Sequence, residues 1–473
     1  MEMTPPSTAV LRPYDPQYDP LVAPTPGHGT DYAPTYWVAT AGTPPADDGP
    51  VLGDTDADVV IVGSGFTGLA TALFLAREHG IRATVLEANR AVWGCTSRNG
   101  GQGQNASGRL YRSQWIARWG KATALKLDAE IRHGFETFKS LVAEFPECEP
   151  QPGGHLYLAH REKKMAFLRS EAKVMREVFG YDTHILSTDE VHRRYVRDAE
   201  TFGAMHEPDG IGVHPLKLAF GYLRKARELG VKVHPASPVL GFETRGGVHH
   251  LRTPGGTVRA RAVGFATGGY TSNGLHPSLD AKIMPILSNS LVTRPLTPAE
   301  LEATNFRTTE VITDTRTLRF YYRRLPDNRV QIGSRSAITG ADAPNPKHMQ
   351  VLVGGLHRKF PALKDIRIDH SWWGWVDVSH DMMPRITQPD PKASVFYALG
   401  YGGNGVSFSA HAGRRMAQRI AGRADPAFEL PIYASPLEYP NVFDTVRSRA
   451  FAPFRRVGQN VLYRWYYLRD EVL

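Results

Sequence analysis

A two-domain α/β fold is predicted, with a Rossmann-like nucleotide-binding sheet and an interleaved antiparallel-sheet domain. Three features of the sequence predict it. The first is Asp58-Val-Val-Ile-Val-Gly-Ser-Gly-Phe-Thr-Gly-Leu-Ala-Thr-Ala-Leu-Phe-Leu-Ala-Arg77, which reads as buried strand, Gly-rich turn and helix in succession. The second is the return of that device at Val395 to Leu399, where an apolar strand runs into Gly400-Tyr-Gly-Gly-Asn-Gly405 and a helix over 410–420. The third is a middle region of short runs broken by Gly-Gly turns, the pattern of an antiparallel sheet.

Within the first stretch, Val59 to Val62 form the strand, and Gly63, Gly65 and Gly68 stand in G-x-G-x-x-G spacing with Ser64, Phe66 and Thr67 between them. The glycines permit a tight turn, a bare backbone beside a pyrophosphate, and close helix–strand packing. The helix start offers free N–H groups and a positive dipole end to phosphates. Gly80 stops the helix. A second strand, Ala83 to Leu86, ends at Glu87-Ala88, where the carboxylate is placed for ribose hydroxyls. The bland alternative is a βαβ unit with no ligand; the full strand–turn–helix–strand–acid order favours a dinucleotide site.

At 473 residues the chain exceeds one average domain, so two intertwined or tandem domains are expected. Apolar and charged fractions of 41% and 22% describe a soluble globular protein. Met1-Glu-Met-Thr-Pro-Pro6 lacks the basic patch and apolar core of a signal peptide. Residues 59–76 carry no charge, yet three glycines in the fingerprint argue against a membrane span. Cys95 and Cys148 make neither a disulfide framework nor a zinc spacing, so a reducing, cytoplasmic setting is the simplest expectation and no metal is expected. His249 and His250 read as hairpin residues. The net charge of +9 comes without a basic block interleaved with aromatics, so it is assigned to a solvated Arg-rich surface and not to nucleic acid.

Residues 1–50, rich in Pro and Gly, are expected to wrap the surface and anchor through Tyr32, Tyr36 and Trp37. The nucleotide-binding domain is assigned to 55–145, 201–274 and 366–425, and the second domain to 146–200 and 275–365. Residues 426–473 form a tail. The loop from Val92 to Gln104 is too bare for packing and too long for a turn, which suits close approach to a flat ring or phosphate. Helices are predicted over 114–145, 162–179, 214–230 and 346–360. Strands are predicted at 153–159, 231–234, 239–243, 251–253, 257–263, 288–295, 317–324 and 329–333, while 191–204 carries little signal. In the tail, Val457, Val461, Trp465 and Leu468 share one face of a basic amphipathic helix. Docking on the protein's own body is the favoured reading of that face, and a peripheral membrane contact is the other.

The order of these motifs, with Arg98-Asn-Gly-Gly101 and Ala266-Thr-Gly268, resembles the FAD-dependent amine and D-amino-acid oxidase superfamily over residues 55–425. Tyr36-Trp37, Arg98-Asn-Gly-Gly-Gln102 and Tyr466-Tyr-Leu-Arg-Asp470 look most like its γ-glutamylputrescine-oxidising branch. The resemblance implies a Rossmann-like FAD-binding domain. Gly63, Ser64, Gly65, Phe66, Thr67 and Gly68 would hold the pyrophosphate, and Glu87 and Ala88 the adenosine ribose. Thr96, Ser97, Arg98, Asn99, Gly100, Gly101 and Gln102 would line phosphates and ring. Val239 would meet adenine, and Thr267 and Gly268 the ribityl chain. Gly402, Gly403, Asn404, Gly405 and Val406 would approach the ring's O2 edge. Relatives with histidine-linked flavin carry that histidine near Arg98, and cysteine-linked ones use a C-terminal cysteine absent here. Non-covalent FAD is therefore expected.

The implied reaction is oxidation of an amine to an imine and then an aldehyde, with oxygen or another electron carrier as acceptor. Sarcosine-oxidase-like members grip an α-carboxylate with a lysine where this chain has Ser407, so an amine without a nearby carboxylate is expected. Tyr321, Tyr322, Trp372, Trp373 and Trp375 are candidate walls, Tyr321, Tyr322 and Trp373 foremost. An aromatic site suits a deprotonated amine by disfavouring charge. No general base is nominated; His380 and Asp381 lie near the second Gly loop. Alternatives are a dehydrogenase or oxidase of another secondary amine, N-methyl or D-amino acid, and a non-catalytic or tRNA-directed flavoprotein.

Overall fold

Strand Thr55–Val62 runs through the middle of an eight-stranded sheet, with its last four residues fully enclosed. It pairs in parallel with Gly256–Phe265 on one side and Thr84–Leu86 on the other. A computed structural model describes residues 19–23, 31–272, 274–280, 282–437 and 452–472. The parallel set extends to Lys232–His234 at one end and Val395–Leu399 at the other. Uncharged runs such as Val59–Val62 are what a strand covered on both faces requires. The hairpin Gly241–Arg245 and Val248–Thr253 attaches to the first half of Gly256–Phe265. The strand predicted at 257–263 is thus part of one ten-residue strand.

Helices Phe66–His79 and Gly405–Ile420 cover one face and cross closely at Gly413, where a Cβ would lie 2.8 Å from that of Ala70. Both helices begin at a Gly-rich loop on the C-terminal edge of a parallel strand, so their N-termini converge on one cleft.

The second sheet has eight strands in the order Ile368–Val378, Met284–Thr293, Val330–Ser334, Tyr321–Arg324, Val311–Asp314, His155–Leu158, Ala204–Glu207, His184–Leu186. It is antiparallel except for Val311–Asp314 against His155–Leu158. Two of its strands, Ala204–Glu207 and Ile368–Val378, lie in stretches assigned to the nucleotide-binding domain. Residues Ile368 to Val378 instead pair along Met284–Thr293, which commits them to the second sheet.

Thr188–Arg194 is a helix where little signal was read. Its capping box, Ser187 with Glu190, was the available cue. The strand expected from Thr317 begins only at Tyr321, because the Thr317 amide is engaged by Asp470 of the tail. The helix expected from Ala410 starts at Gly405.

The tail helix Ala452–Tyr467 docks by its polar side. Arg456 reaches both carboxylate oxygens of Asp19 and, at 2.7 Å, the Pro285 carbonyl. The favoured reading of the apolar face is thereby corrected: Val457, Val461, Trp465 and Leu468 are 61%, 64%, 50% and 40% exposed. The buried Arg456–Asp19 pair holds the ionic side of the helix against the body and leaves the apolar face outward.

Candidate active site

The cleft begins at the first Gly loop. Gly63 has φ +101°, and a Cβ there would meet the Ala266 carbonyl oxygen at 2.7 Å; at Gly68 a Cβ would meet the Gly63 carbonyl oxygen at 1.8 Å. Gly65 caps the helix with no side chain; the Phe66 amide donates to Thr96 Oγ1 at 3.0 Å, and no cap from Gly65 covers the rest of the first turn. Glu87 Oε2 accepts from the Ser64 amide at 2.9 Å and the Ser64 hydroxyl at 2.7 Å, while Oε1 accepts from the Asn89 amide at 3.0 Å. The carboxylate still has lone pairs for hydroxyls in the cleft.

The second loop, Gly94 to Gln102, is held from behind. Trp37 Nε1 donates to the Asn99 carbonyl at 2.8 Å, Trp372 Nε1 to the Arg98 carbonyl at 2.7 Å, and Thr35 Oγ1 to the Ser97 carbonyl at 3.2 Å. Two indoles therefore fix carbonyls that a flexible Gly-rich loop would otherwise present to water. The Arg98 guanidinium lies 4.0 Å from the Trp93 ring centroid and donates to the Tyr270 hydroxyl.

The third wall is Gly400 to Val406. Gly402 and Gly403 have φ +66° and +98°, conformations that favour glycine. Asp377 shapes this turn, accepting from the Gly400 amide at 2.6 Å through its side chain and from the Gly402 amide at 2.8 Å through its carbonyl. Burial pushes the Asp377 carboxyl up, against the pull of the Gly400 and Tyr401 amides. Asn404 precedes the helix without a side-chain cap, so Gly405 and Val406 present backbone to the cleft.

Of the residues predicted for the cofactor, Gly63, Gly65, Phe66, Thr67, Glu87 and Ala88 line the cleft at one end. Thr96, Arg98, Asn99, Gly100 and Gln102 line its middle, with Val239, Thr267 and Gly268. Gly403, Asn404, Gly405 and Val406 close it. Ser64, Gly68, Ser97, Gly101 and Gly402 stand one layer back. Gly101, for instance, presses on the Val213 carbonyl, where a Cβ would sit 2.1 Å away.

The substrate-side candidates divide. Tyr321 lines the cleft: its ring lies across Gly100, and its hydroxyl meets Ser288 and Ser290, each at 3.0 Å. Tyr322, the next residue on the strand, faces the opposite side of the sheet and donates to Asp198 at 2.5 Å. Trp373 packs with Leu287, Trp375 and Ala337 in a core cluster away from the cleft. Trp372 positions the Arg98 loop from behind. Asp381 is paired with Arg385 and Arg118. Ser407 is buried and donates to the Gln104 carbonyl, so it sends nothing into the cleft.

Sequence reasoning missed Arg109, Arg319 and Arg335, which line the cleft beyond Tyr321. They come from three distant segments and follow no spacing rule. The same three arginines line a neighbouring cavity of about 1060 Å³, walled by Phe167, Thr317, His380 and the tail residues Leu462, Tyr463 and Tyr466. Cys95 also lines the cleft, with burial pushing its thiol up to about 12.

A helix start over a Gly turn, an acid at the end of the adjacent strand and a bare glycine wall fit a dinucleotide carrying a flat ring. The family profile described as FAD dependent oxidoreductase (DAO) matches residues 58–419. The chain is 30% identical over 417 residues to the gamma-glutamylputrescine oxidoreductase of Escherichia coli K12, covering 86% of this chain and 94% of that one. It is 25% identical to the sarcosine oxidase subunit beta of an Arthrobacter species, over 84% of this chain and 94% of that one. Among solved structures, glycine oxidase from Geobacillus kaustophilus superposes with a TM-score of 0.68 at 20% identity, over 81% of this chain and 99% of that one.

Proposed function

The chain belongs to the DAO family of FAD-dependent oxidoreductases, and we propose that it oxidises the C–N bond of a γ-glutamylputrescine-type amine with oxygen as acceptor. FAD, an amine oxidoreductase's electron acceptor, would lie along the cleft with its pyrophosphate over Gly63 to Gly68, its ribose at Glu87 and its ring between Arg98 to Gln102 and Gly403 to Val406. When bound it takes the electron pair from the carbon beside the amine nitrogen. The protein's part is to orient that carbon, exclude water and favour the neutral amine; Tyr321, backed by Ser288 and Ser290, is the polar group best placed to do the first. The amine leaves as an imine, which water converts to aldehyde and ammonia. The cofactor is held without a covalent bond: an arginine stands near the histidine-linkage position, and the Cys95 thiol stays protonated at neutral pH.

The observation that carries the substrate reading is Ser407. Its hydroxyl points to the Gln104 carbonyl, so no cation from that place can hold a carboxylate beside the reacting carbon. The cationic groups that do line the cleft are Arg98, Arg109, Arg319 and Arg335, from other segments of the chain. Anaerobic titration of the holoenzyme tests this. Flavin bands should bleach with γ-glutamylputrescine and not with sarcosine, and air should restore them with release of hydrogen peroxide. Bleaching confined to an N-methyl or D-amino acid sinks the reading.

The exposed apolar face of the tail supports a second element, peripheral membrane contact. No helix among the described residues is long and apolar enough to cross a bilayer. Val461 and Trp465, with Arg464 beside them, suit an interfacial helix. A chain carrying Val461→Ser and Trp465→Ser should lose flotation with anionic liposomes; equal flotation of both proteins refutes the contact.

A further inference from the structure

Tyr321 faces the cleft, and the pleat puts its cross-strand partner Thr313 on the same face, where it lines the cleft as well. Thr313 Oγ1 lies 2.7 Å from His155 Nε2, and His155 Nδ1 lies 3.5 Å from Glu207 Oε1 with no closer partner. The three residues sit on three neighbouring strands, Val311–Asp314, His155–Leu158 and Ala204–Glu207, and all are buried. A hydroxyl, an imidazole and a carboxylate in that order make a path for a proton from the cleft to a buried base. When the ring carries its proton on Nδ1, toward Glu207, Nε2 accepts from the Thr313 hydroxyl. The Oγ1 lone pairs are then left to accept from the cleft.

Burial alone would raise the Glu207 carboxyl, but the facing His155 and Arg112 outweigh it and hold it below its ordinary range. Glu207 is thus a carboxylate able to steady an imidazolium. Tyr157 lies beside the ring, centroids 5.9 Å apart, and Tyr111, Arg109, Arg112, Arg319 and Glu171 surround the same small cavity of about 70 Å³. Arg112 is tied to Asp128 at 2.6 Å, and the Tyr111 and Tyr157 hydroxyls to each other at 2.6 Å. The arginines oppose a further positive charge there. Glu207, in ion-pair range of the ring, favours it.

We propose that Thr313 and His155 take the proton from the substrate's ammonium group before oxidation, with Thr313 touching the amine and His155, held by Glu207, acting through it. This rests on the amine reading above and supplies it with a base. The ammonium N–H donates to Thr313 Oγ1; its proton passes to Oγ1 as the hydroxyl proton passes to His155 Nε2. One N–H bond of the ammonium breaks, one Nε2–H bond forms, and Thr313 ends as it began. No electron changes hands in this step. It frees the nitrogen lone pair, and the neutral amine is the form that can give up hydride.

The test is the pH profile of anaerobic flavin reduction by γ-glutamylputrescine, measured on the holoenzyme. An alkyl ammonium ionises at about pH 10.4. In Thr313→Val only amine already neutral in solution can react. At pH 7 its reduction should be about 100- to 10,000-fold slower than wild type, the usual worth of general base catalysis. Near pH 10.4 the deficit should shrink to about twofold, because half the amine is then neutral. His155→Gln should behave alike, and Thr313→Ser, which keeps the hydroxyl, should follow wild type. A Thr313→Val deficit equal at both pH values, or no deficit at pH 7, overturns the proton path. A readout without turnover separates this from the amine reading. An analogue of γ-glutamylputrescine methylated twice at the reacting carbon has no hydrogen there to give. In holoenzyme labelled with ¹⁵N-histidine, it should move the His155 ring nitrogens, identified by their loss in His155→Gln, to imidazolium shifts, and should not do so in Thr313→Val. If γ-glutamylputrescine leaves the flavin oxidised but the analogue charges His155, the amine reading falls and the proton path stands. If the flavin bleaches while His155 stays uncharged, the proton path falls and the amine reading stands.

Discussion

Gly68→Ala is expected to yield a chain that purifies without FAD and is less stable by about 1–3 kcal/mol, the usual cost of forcing one extra methyl into a packed site. The added Cβ would lie 1.8 Å from the Gly63 carbonyl oxygen and 3.4 Å from a methyl of Ile61. Neither is the far end of a flexible side chain. The helix Phe66–His79 must therefore back away from the strand, and with it the helix start that faces the phosphates. Flavin absorbance per chain and urea midpoints measure the two effects. A Gly68→Ala protein with full flavin and an unchanged midpoint would show that this contact does not set the position of the phosphate loop.

The second large effect is placed far from the cofactor. Glu130 on helix Arg112–Glu144 accepts hydrogen bonds from His411 at 2.7 Å, from Arg415 at 2.7 and 2.9 Å, and from the Tyr433 hydroxyl at 2.6 Å. His411 and Arg415 lie on the helix that begins at Gly405, so this buried network locks the second Gly loop's helix in place. Glu130, His133 and His411 could in geometry offer atoms to a metal ion, all within 4.8 Å. Arg415 already occupies both Glu130 oxygens, which favours the structural role. Glu130→Gln should cost about 3–5 kcal/mol by removing the more deeply buried of Arg415's two charge partners, Asp425 being the other. Burial alone would raise the Glu130 carboxyl, but the His411 and Arg415 hydrogen bonds outweigh it and hold the pKa well below the ordinary range. A depressed folded-state value means this contribution is present above the unfolded pKa, about 4.3, and is lost as pH falls below it. Thermal midpoints from pH 7 to pH 3 should thus fall steeply for the wild-type chain and less steeply for Glu130→Gln. Parallel profiles would contradict the linkage.

Local patterns in the chain determined the cofactor end of this protein. Gly63, Gly65, Gly68 and Glu87 act through backbone conformation and close approach, so their spacing alone carries their geometry. The second Gly loop was legible for the same reason. The substrate end was decided only by the tertiary structure. Tyr321 and Tyr322 are neighbours, and nothing local says which faces the cleft; the pleat assigns them to opposite faces, and pairing with Val330–Ser334 sets which is which. Trp372 and Trp373 divide likewise, one gripping the Arg98 loop and the other filling a core. The tail helix was legible as amphipathic, but its side of attachment followed from Arg456 finding Asp19, a partner 437 residues away. Arg109, Arg319 and Arg335 share no spacing, because a charge cluster assembled from three segments exists only once the chain has folded.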